Sequence, residues 1–323
     1  MARHRTAVVA VVLALLSVLA GCGGGRPADR LSDVTLVLGD QAGGTRARAE
    51  AAKAFEDAPY RVRWANFQGA APLFEAVRSG EVDTAVAGDT PTLQALAGGV
   101  PIRPAVATAA AQSSTAIVVP PDSPIRTVAD LRGKHIVISS AAGSISQLTV
   151  LGALEEAGLD PRDVEITFSL PTDAQAGFRA GHIEAWATFD PYLAIAQDAG
   201  ARVLRDGTGI NGHNGFISVA ESSLADPLKR EALADAMRRF ARAWQWSDEN
   251  QAEYQRVYSD LTSLEPQVAR NILTRTRQEI RPLSPEVLAE LQRTADRFRA
   301  AGVIREPIDV AASSVPDLYS GGA

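Results

Sequence analysis

The chain has 323 residues, 46% hydrophobic and 22% charged, with a formal charge of −6 and a single cysteine. That is enough chain for two domains with sizeable cores. A net-acidic chain without a basic tract argues against nucleic acid as the partner, and one cysteine excludes an internal disulfide.

The first residues read as an export signal. Arg3, His4 and Arg5 make a basic start, and residues 7–20 form an apolar run too short to span a bilayer comfortably. Leu19-Ala20-Gly21-Cys22 resembles a bacterial lipobox. Residues 1–21 are therefore expected to be a lipoprotein signal peptide. Cys22 is expected to be lipidated, anchoring the chain to the extracytoplasmic side of the membrane. Acyl chains contribute about 0.8 kcal/mol per buried CH₂, and a lasting anchor needs more than one chain. Residues 22–32 then form a flexible, Gly-rich tether.

Residues 34–38 predict a first strand. Gly39-Asp40-Gln41-Ala42-Gly43-Gly44 is a loop that lets backbone approach a ligand, and Thr45 caps a helix to about Phe55. Residues 60–65 predict a strand and 72–79 a helix. The organising stretch follows: a strand over 82–87, then Gly88-Asp89-Thr90-Pro91 opening a helix over 92–97. Pro suits the first helical turn, and Thr or Asp the cap before it. The strand so ends at the positive end of a helix, a place to hold an anion. Residues 102–107 and 114–119 add strands, the second ended by Pro120-Pro121, and 128–133 predict a short helix. Residues 135–139 open a second unit, and Ser144 with Gln147 fits a capping box for a helix to Gly158. A strand over 164–168, a capping box at Thr172 and Gln175, and a helix ending at Gly181 follow. Then come strands over 201–204 and 216–220, separated by a Gly-rich run. Asp226-Pro227 starts a long helix with Leu228, Leu233, Met237, Phe240 and Trp244 at helical spacing. Pro266 and Ser284-Pro285 start two more, the remainder is expected to be helical, and residues 316–323 are expected to fray.

One register relates the two units. At a shift of 101, Phe67 falls on Phe168, Arg78 on Arg179, Gly80 on Gly181 and Asp89 on Asp190. The shared order of strand, turn and helix predicts two similar α/β lobes, each a mixed, mostly parallel sheet flanked by helices. Lobe one is expected over 33–113 plus 217–323 and lobe two over 114–216. The two crossings make a hinge, and the cleft lies at the carboxyl ends of the strands, where open α/β sheets bind ligands.

Four runs match one family in order: Gly88-Asp89-Thr90-Pro91; Asp122-Ser123-Pro124-Ile125 with Val128-Ala129-Asp130-Leu131-Arg132-Gly133; Trp186-Ala187-Thr188-Phe189-Asp190-Pro191-Tyr192-Leu193; and Val203-Leu204-Arg205-Asp206-Gly207-Thr208-Gly209. With them the mature chain resembles the substrate-binding proteins of bacterial ABC transporters for aliphatic sulfonates, taurine and nitrate. The resemblance implies the two-lobed type II periplasmic-binding fold and a small solute held between the lobes. It also implies a cognate permease and ATPase, a monomer, and no cofactor or metal. An aliphatic sulfonate or taurine-like solute is the ligand it favours. The alternatives are nitrate, a thiamine precursor or another organosulfur or aromatic solute. An extracellular sensor or an enzyme on this fold is a further reading, but the chain offers no nucleophile with its base.

Carried over position by position, the resemblance places ligand contacts at Gln41, Gly88, Asp89 and Thr90 in the first lobe. In the second it places them at Ser144, Ser146, Trp186 and Asp190, with Asn214 near the return crossing. Relatives often carry a Lys where this chain has Ala42, and Lys-Gly-Ser-Ser where it has Ala142-Gly143-Ser144-Ile145. That leaves backbone dipoles and hydroxyls to hold an anion. Each site residue also has a plainer role. Thr90, Ser144 and Asp190 suit helix caps, and Trp186 in a strand suits a core. Asp190 could instead meet an amine. His182 and His213 do not stand at metal-ligand spacing.

Overall fold

The computed structural model describes residues 29–321, apart from 110, 213, 276–278 and 301–303. The signal peptide, Cys22 and most of the tether lie outside the described residues. The first pass of the chain is β1 (Thr35–Gln41), α1 (Gly44–Ala51), β2 (Arg61–Phe67), α2 (Ala70–Arg78), β3 (Thr84–Gly88), α3 (Asp89–Ala97) and β4 (Ile102–Ala109). Alternation sends Leu36 and Leu38 of β1 into the core. Helix α3 starts earlier than its Pro suggested. Gly88 is its N-cap, and Asp89 Oδ1 accepts from the Thr90 amide at 2.6 Å and the Thr90 hydroxyl at 3.1 Å. The Thr90 hydroxyl is a donor there and not a cap.

The second pass is β5 (Thr115–Val119), β6 (His135–Ser139), α4 (Ile145–Glu156), β7 (Glu165–Ser169), α5 (Pro171–Arg179), β8 (Ala185–Phe189), α6 (Tyr192–Asp198) and β9 (Arg202–Asp206). Ser144 caps α4 by accepting from the Gln147 amide at 3.3 Å. The Gln147 carboxamide reaches back to the Gly143 amide at 2.7 Å, one residue beyond the amide of the usual box. The box expected at Thr172 is absent, because Pro171 takes the first helical position and Leu170 is the cap. Thr172 instead donates to Gln68 Oε1 at 2.7 Å, a contact between the lobes.

The return pass is β10 (Asn214–Ala220), α7 (Glu221–Ala225), α8 (Pro227–Glu249), α9 (Gln251–Thr262), α10 (Pro266–Arg275), β11 (Ile280–Pro282) and α11 (Pro285–Ala300). Asp226 caps α8 through the Leu228 and Lys229 amides. β11 interrupts the expected all-helical remainder. The terminus is packed rather than frayed as far as it is described: Leu318 and Tyr319 are buried in the first-lobe core, and the Val315 amide bonds Pro104 O at 2.9 Å.

Two mixed sheets result, ordered β11-β4-β10-β3-β1-β2 and β7-β6-β8-β5-β9 among the described residues. β1 pairs parallel with β2 and β3, and β6 with β7 and β8. An antiparallel strand follows in each sheet, β10 beside β3 and β5 beside β8. The repeat is real in three dimensions: α2 and α5, and β3 and β8, begin and end 101 residues apart. β10 lies in the first sheet from Asn214 onward, so residues 214–216 pair there and not in the second lobe. Helix α8 buries Leu233, Met237, Phe240 and Trp244 against the first sheet, as its spacing predicted.

Candidate ligand-binding cleft

The jaws meet where the parallel strands end. Gly143, at φ +82° before α4, approaches Gln94 of α3 so closely that a Cβ would sit 2.8 Å from Gln94 Cγ. Gly69, at φ +118° before α2, faces Ser140 in the same way, with 2.8 Å from an added Cβ to the Ser140 hydroxyl. Both conformations suit glycine and no side chain. At the centre, a Cβ on Gly88 would lie 3.5 Å from Ile145 Cδ1.

Two cavities lie between the jaws. The outer, about 470 Å³, runs between α2, α3 and the loop over 140–145. The inner, about 230 Å³, reaches back to α1, β10 and the C-terminal helices. Gln41, Gly88, Ile145 and Phe189 line both and form the throat between them. The inner chamber carries buried charge. Asp40 is buried and accepts from the Gln41, Thr45 and Arg46 amides at 2.8, 3.2 and 3.0 Å, filling the N-terminus of α1 with a carboxylate of the chain itself. Burial pushes its pKa up, against those hydrogen bonds. Arg48, only 3% exposed, lies over Trp244 and Tyr254 at 4.3 and 4.8 Å from their ring centroids.

Asp190 lines the inner chamber but is not free to meet an amine. Its Oδ1 takes Nη2 of Arg275 at 2.9 Å and the Ala194 amide at 3.1 Å, and its Oδ2 takes Nε of Arg275 at 3.1 Å. The Arg275 Nη1 also donates to Gln197 at 2.6 Å. Arg275 ends α10, which packs on α9 and on α6, so this bidentate pair joins the second lobe to the helical layer behind the first. Burial pushes the Asp190 pKa up to about 6, and Arg275 opposes the shift.

The predicted site residues divide. Gln41, Gly88 and Ser144 line the outer cavity, and Gln41, Gly88 and Asp190 the inner. Gln41 Nε2 is held by Val86 O at 2.6 Å. Asp89 and Thr90 are buried and line neither cavity; Asp89 lies under the return crossing, where a Cβ on Gly212 would collide with its Oδ2. Ser146 is buried in the first turn of α4, its hydroxyl without a hydrogen-bond partner among the described residues. Trp186 is a core residue: it packs on Phe178, and its Nε1 donates to Ser139 Oγ at 2.9 Å. Asn214 accepts from Arg281 at the end of β10. Sequence reasoning missed Arg48, Arg275, Tyr254 and Tyr258. The only local hint was the alanine-rich run of α1, which lets neighbouring helices close around Arg48.

Two lobes with repeated topology, joined by crossings and enclosing a cleft at their strand ends, define a type II periplasmic binding protein. The family model described as "NMT1/THI5 like" matches residues 55–253. The putative aliphatic sulfonates-binding protein of Escherichia coli is 30% identical over 77% of this chain and 78% of its own. That of Bacillus subtilis is 26% identical over 93% of this chain and 92% of its own. The alkanesulfonate-binding protein SsuA from Xanthomonas axonopodis pv. citri, solved with MOPS bound, superposes with a TM-score of 0.79 at 28% identity, over 89% of this chain and 99% of that one. The chain belongs to this family, the sulfonate- and taurine-type substrate-binding proteins of ABC transporters. It is an extracytoplasmic solute-binding subunit, similar in sequence and fold to non-catalytic binding proteins.

Proposed function

We propose that the protein captures an aliphatic sulfonate between its lobes and delivers it to a permease and ATPase, as a monomer anchored through lipidated Cys22. The observation that supports the ligand is the inner chamber, where the buried guanidinium of Arg48 lines one end of the cleft. A buried cation at the end of a cleft suits a sulfonate head. The named ligands of the relatives agree with it. Of the nine sequence-derived positions, Gln41, Gly88, Ser144 and Asp190 are proposed as cleft residues. The other five are proposed to act through the fold. The lobes are proposed near 33–113 with the C-terminal part and near 114–213, the return crossing lying before Asn214.

A thermal-shift panel tests the ligand. A sulfonate at a hundred times its Kd should stabilise the fold by about 2.7 kcal/mol, whereas nitrate and simple amines should not. No shift from any sulfonate, with the protein folded, would overturn the reading. Detergent phase partition of wild type and Cys22→Ser tests the anchor; wild type should enter the detergent phase and the variant should not.

A further inference from the structure

We infer that Ser140 is a positioning residue for lobe closure: its side chain is a knob of the second lobe that seats on Gly69 of the first, and its backbone is held in a left-handed conformation that aims it there. The inference goes beyond the choice of solute and rests on the two-lobed architecture alone.

Ser140 follows β6 at φ +78°. A residue with a Cβ is sterically disfavoured there, and serine enters that region rarely. Such an outlier persists where its surroundings hold it. One hold is local. The Ser140 amide donates to Ser169 O at 2.9 Å, continuing the β6–β7 ladder past its last pair, Ser139 with Ser169. The other comes from the opposite lobe. Gly69, in the loop between β2 and α2, is buried. What covers it is the second lobe: the three atoms nearest to a Cβ built at Gly69 are Ser140 Oγ at 2.8 Å, Ser140 Cβ at 3.3 Å and Phe189 Cζ at 3.8 Å. The space that a side chain would take at 69 is taken by the one at 140.

Two further contacts join the lobes. Gly143 of the second lobe receives Gln94 Cγ of the first, so knob and hole are exchanged there. Thr172 donates to Gln68, next to Gly69, at 2.7 Å. All three contacts are made between protein atoms, so they favour closed lobes with or without a solute. They are small and uncharged, and the equilibrium they bias stays within reach of a ligand. The repeat places Gly39 of the first lobe opposite Ser140. Gly39 packs inside its own lobe, where a Cβ would meet Leu73 Cδ1 and Thr84 O. At this pair of positions the second lobe alone supplies a side chain.

The test is double electron–electron resonance on the chain in a Cys22→Ser background, with nitroxides at Ser79→Cys and Ala180→Cys. These are exposed, repeat-related positions that follow α2 and α5. No solute is added, so the outcome does not depend on which solute the cleft takes. The distance distribution should hold a short, closed population. Ser140→Gly relieves the backbone and removes the knob. Its Tm should hold or rise, while the ratio of closed to open lobes falls about threefold. Gly69→Ala fills the hole and should lower that ratio as well. The double variant should recover closed lobes relative to Gly69→Ala alone, because the new Cβ enters the space that Ser140 leaves. Unchanged distances in Ser140→Gly would overturn the inference, as would a parent protein with no closed population. A double variant no more closed than Gly69→Ala would do the same. A sulfonate panel without a thermal shift would leave the inference standing.

Discussion

Replacing Arg275 with Ala should destabilise the protein in a way that depends on pH. The guanidinium makes two hydrogen bonds to Asp190 and one to Gln197, with the Asp190 side chain 6% and the Arg275 side chain 20% exposed. Breaking a buried ion pair from one side costs about 3–5 kcal/mol. The residual exposure of Arg275 puts the expectation at the low end, about 3 kcal/mol, when Asp190 is charged. Burial already pushes the Asp190 pKa up to about 6 with Arg275 present, and without the cation it must rise further. A group whose pKa is raised by folding adds stability that is fully present below its unfolded pKa and lost as pH rises through the folded one. For Asp190 that window runs from about 4 to about 6 in wild type, and it extends upward in Arg275→Ala. The two proteins therefore diverge above pH 6 and converge below it. At pH 8 the variant should be about 3 kcal/mol less stable. At pH 5, with Asp190 mostly protonated in both, about 1 kcal/mol should remain, the share of the lost Gln197 hydrogen bond. Urea unfolding followed by tryptophan fluorescence and circular dichroism at both pH values reads the difference. A penalty of equal size at pH 5 and pH 8 would refute the argument. So would a pH dependence that survives in an Asp190→Asn background.

Three other substitutions separate fold from site. Trp186→Ala should cost about 3–5 kcal/mol through the cavity it leaves beside Phe178, read as a lowered Tm, while ligand Kd in the folded protein stays within twofold of wild type. Asp40→Ala should cost about 2–3 kcal/mol by stranding the amides of Thr45 and Arg46 at the start of α1, and hydrogen exchange at those two amides should accelerate. Asp226→Ala should lower stability by about 1 kcal/mol through the lost cap of α8, with ligand binding intact.

The elements that sequence reasoning located are those whose signals are local. Asp226-Pro227, Pro266 and Ser284-Pro285 each open a helix where the chain says so, because a cap and a missing N–H act within one turn. The 101-residue echo was legible because topology repeats with the sequence. α3 was misplaced by three residues, since Gly88 could serve as a cap as well as Thr90. The throat was half visible: Gln41 and Gly88 stand in the repeated loops, while Ile145 looked like ordinary helix. Asp89 and Thr90 carried the family pattern, yet both are buried and line neither cavity, Asp89 lying under the return crossing.

What could not be read locally belongs to the part of the chain that has no repeat. The jaws come from the duplicated units, but one wall of the inner chamber comes from α9 and α10, through Tyr254, Tyr258, Ile272 and Leu273. Trp244 and Tyr254 sit about two hundred residues after the Arg48 they flank, and Arg275 is 85 residues from Asp190. A repeat alone would give two equal lobes with a symmetric, weakly charged seam. The C-terminal helices break that symmetry: they bury a cation at one end of the cleft and tie the second lobe to the first through another.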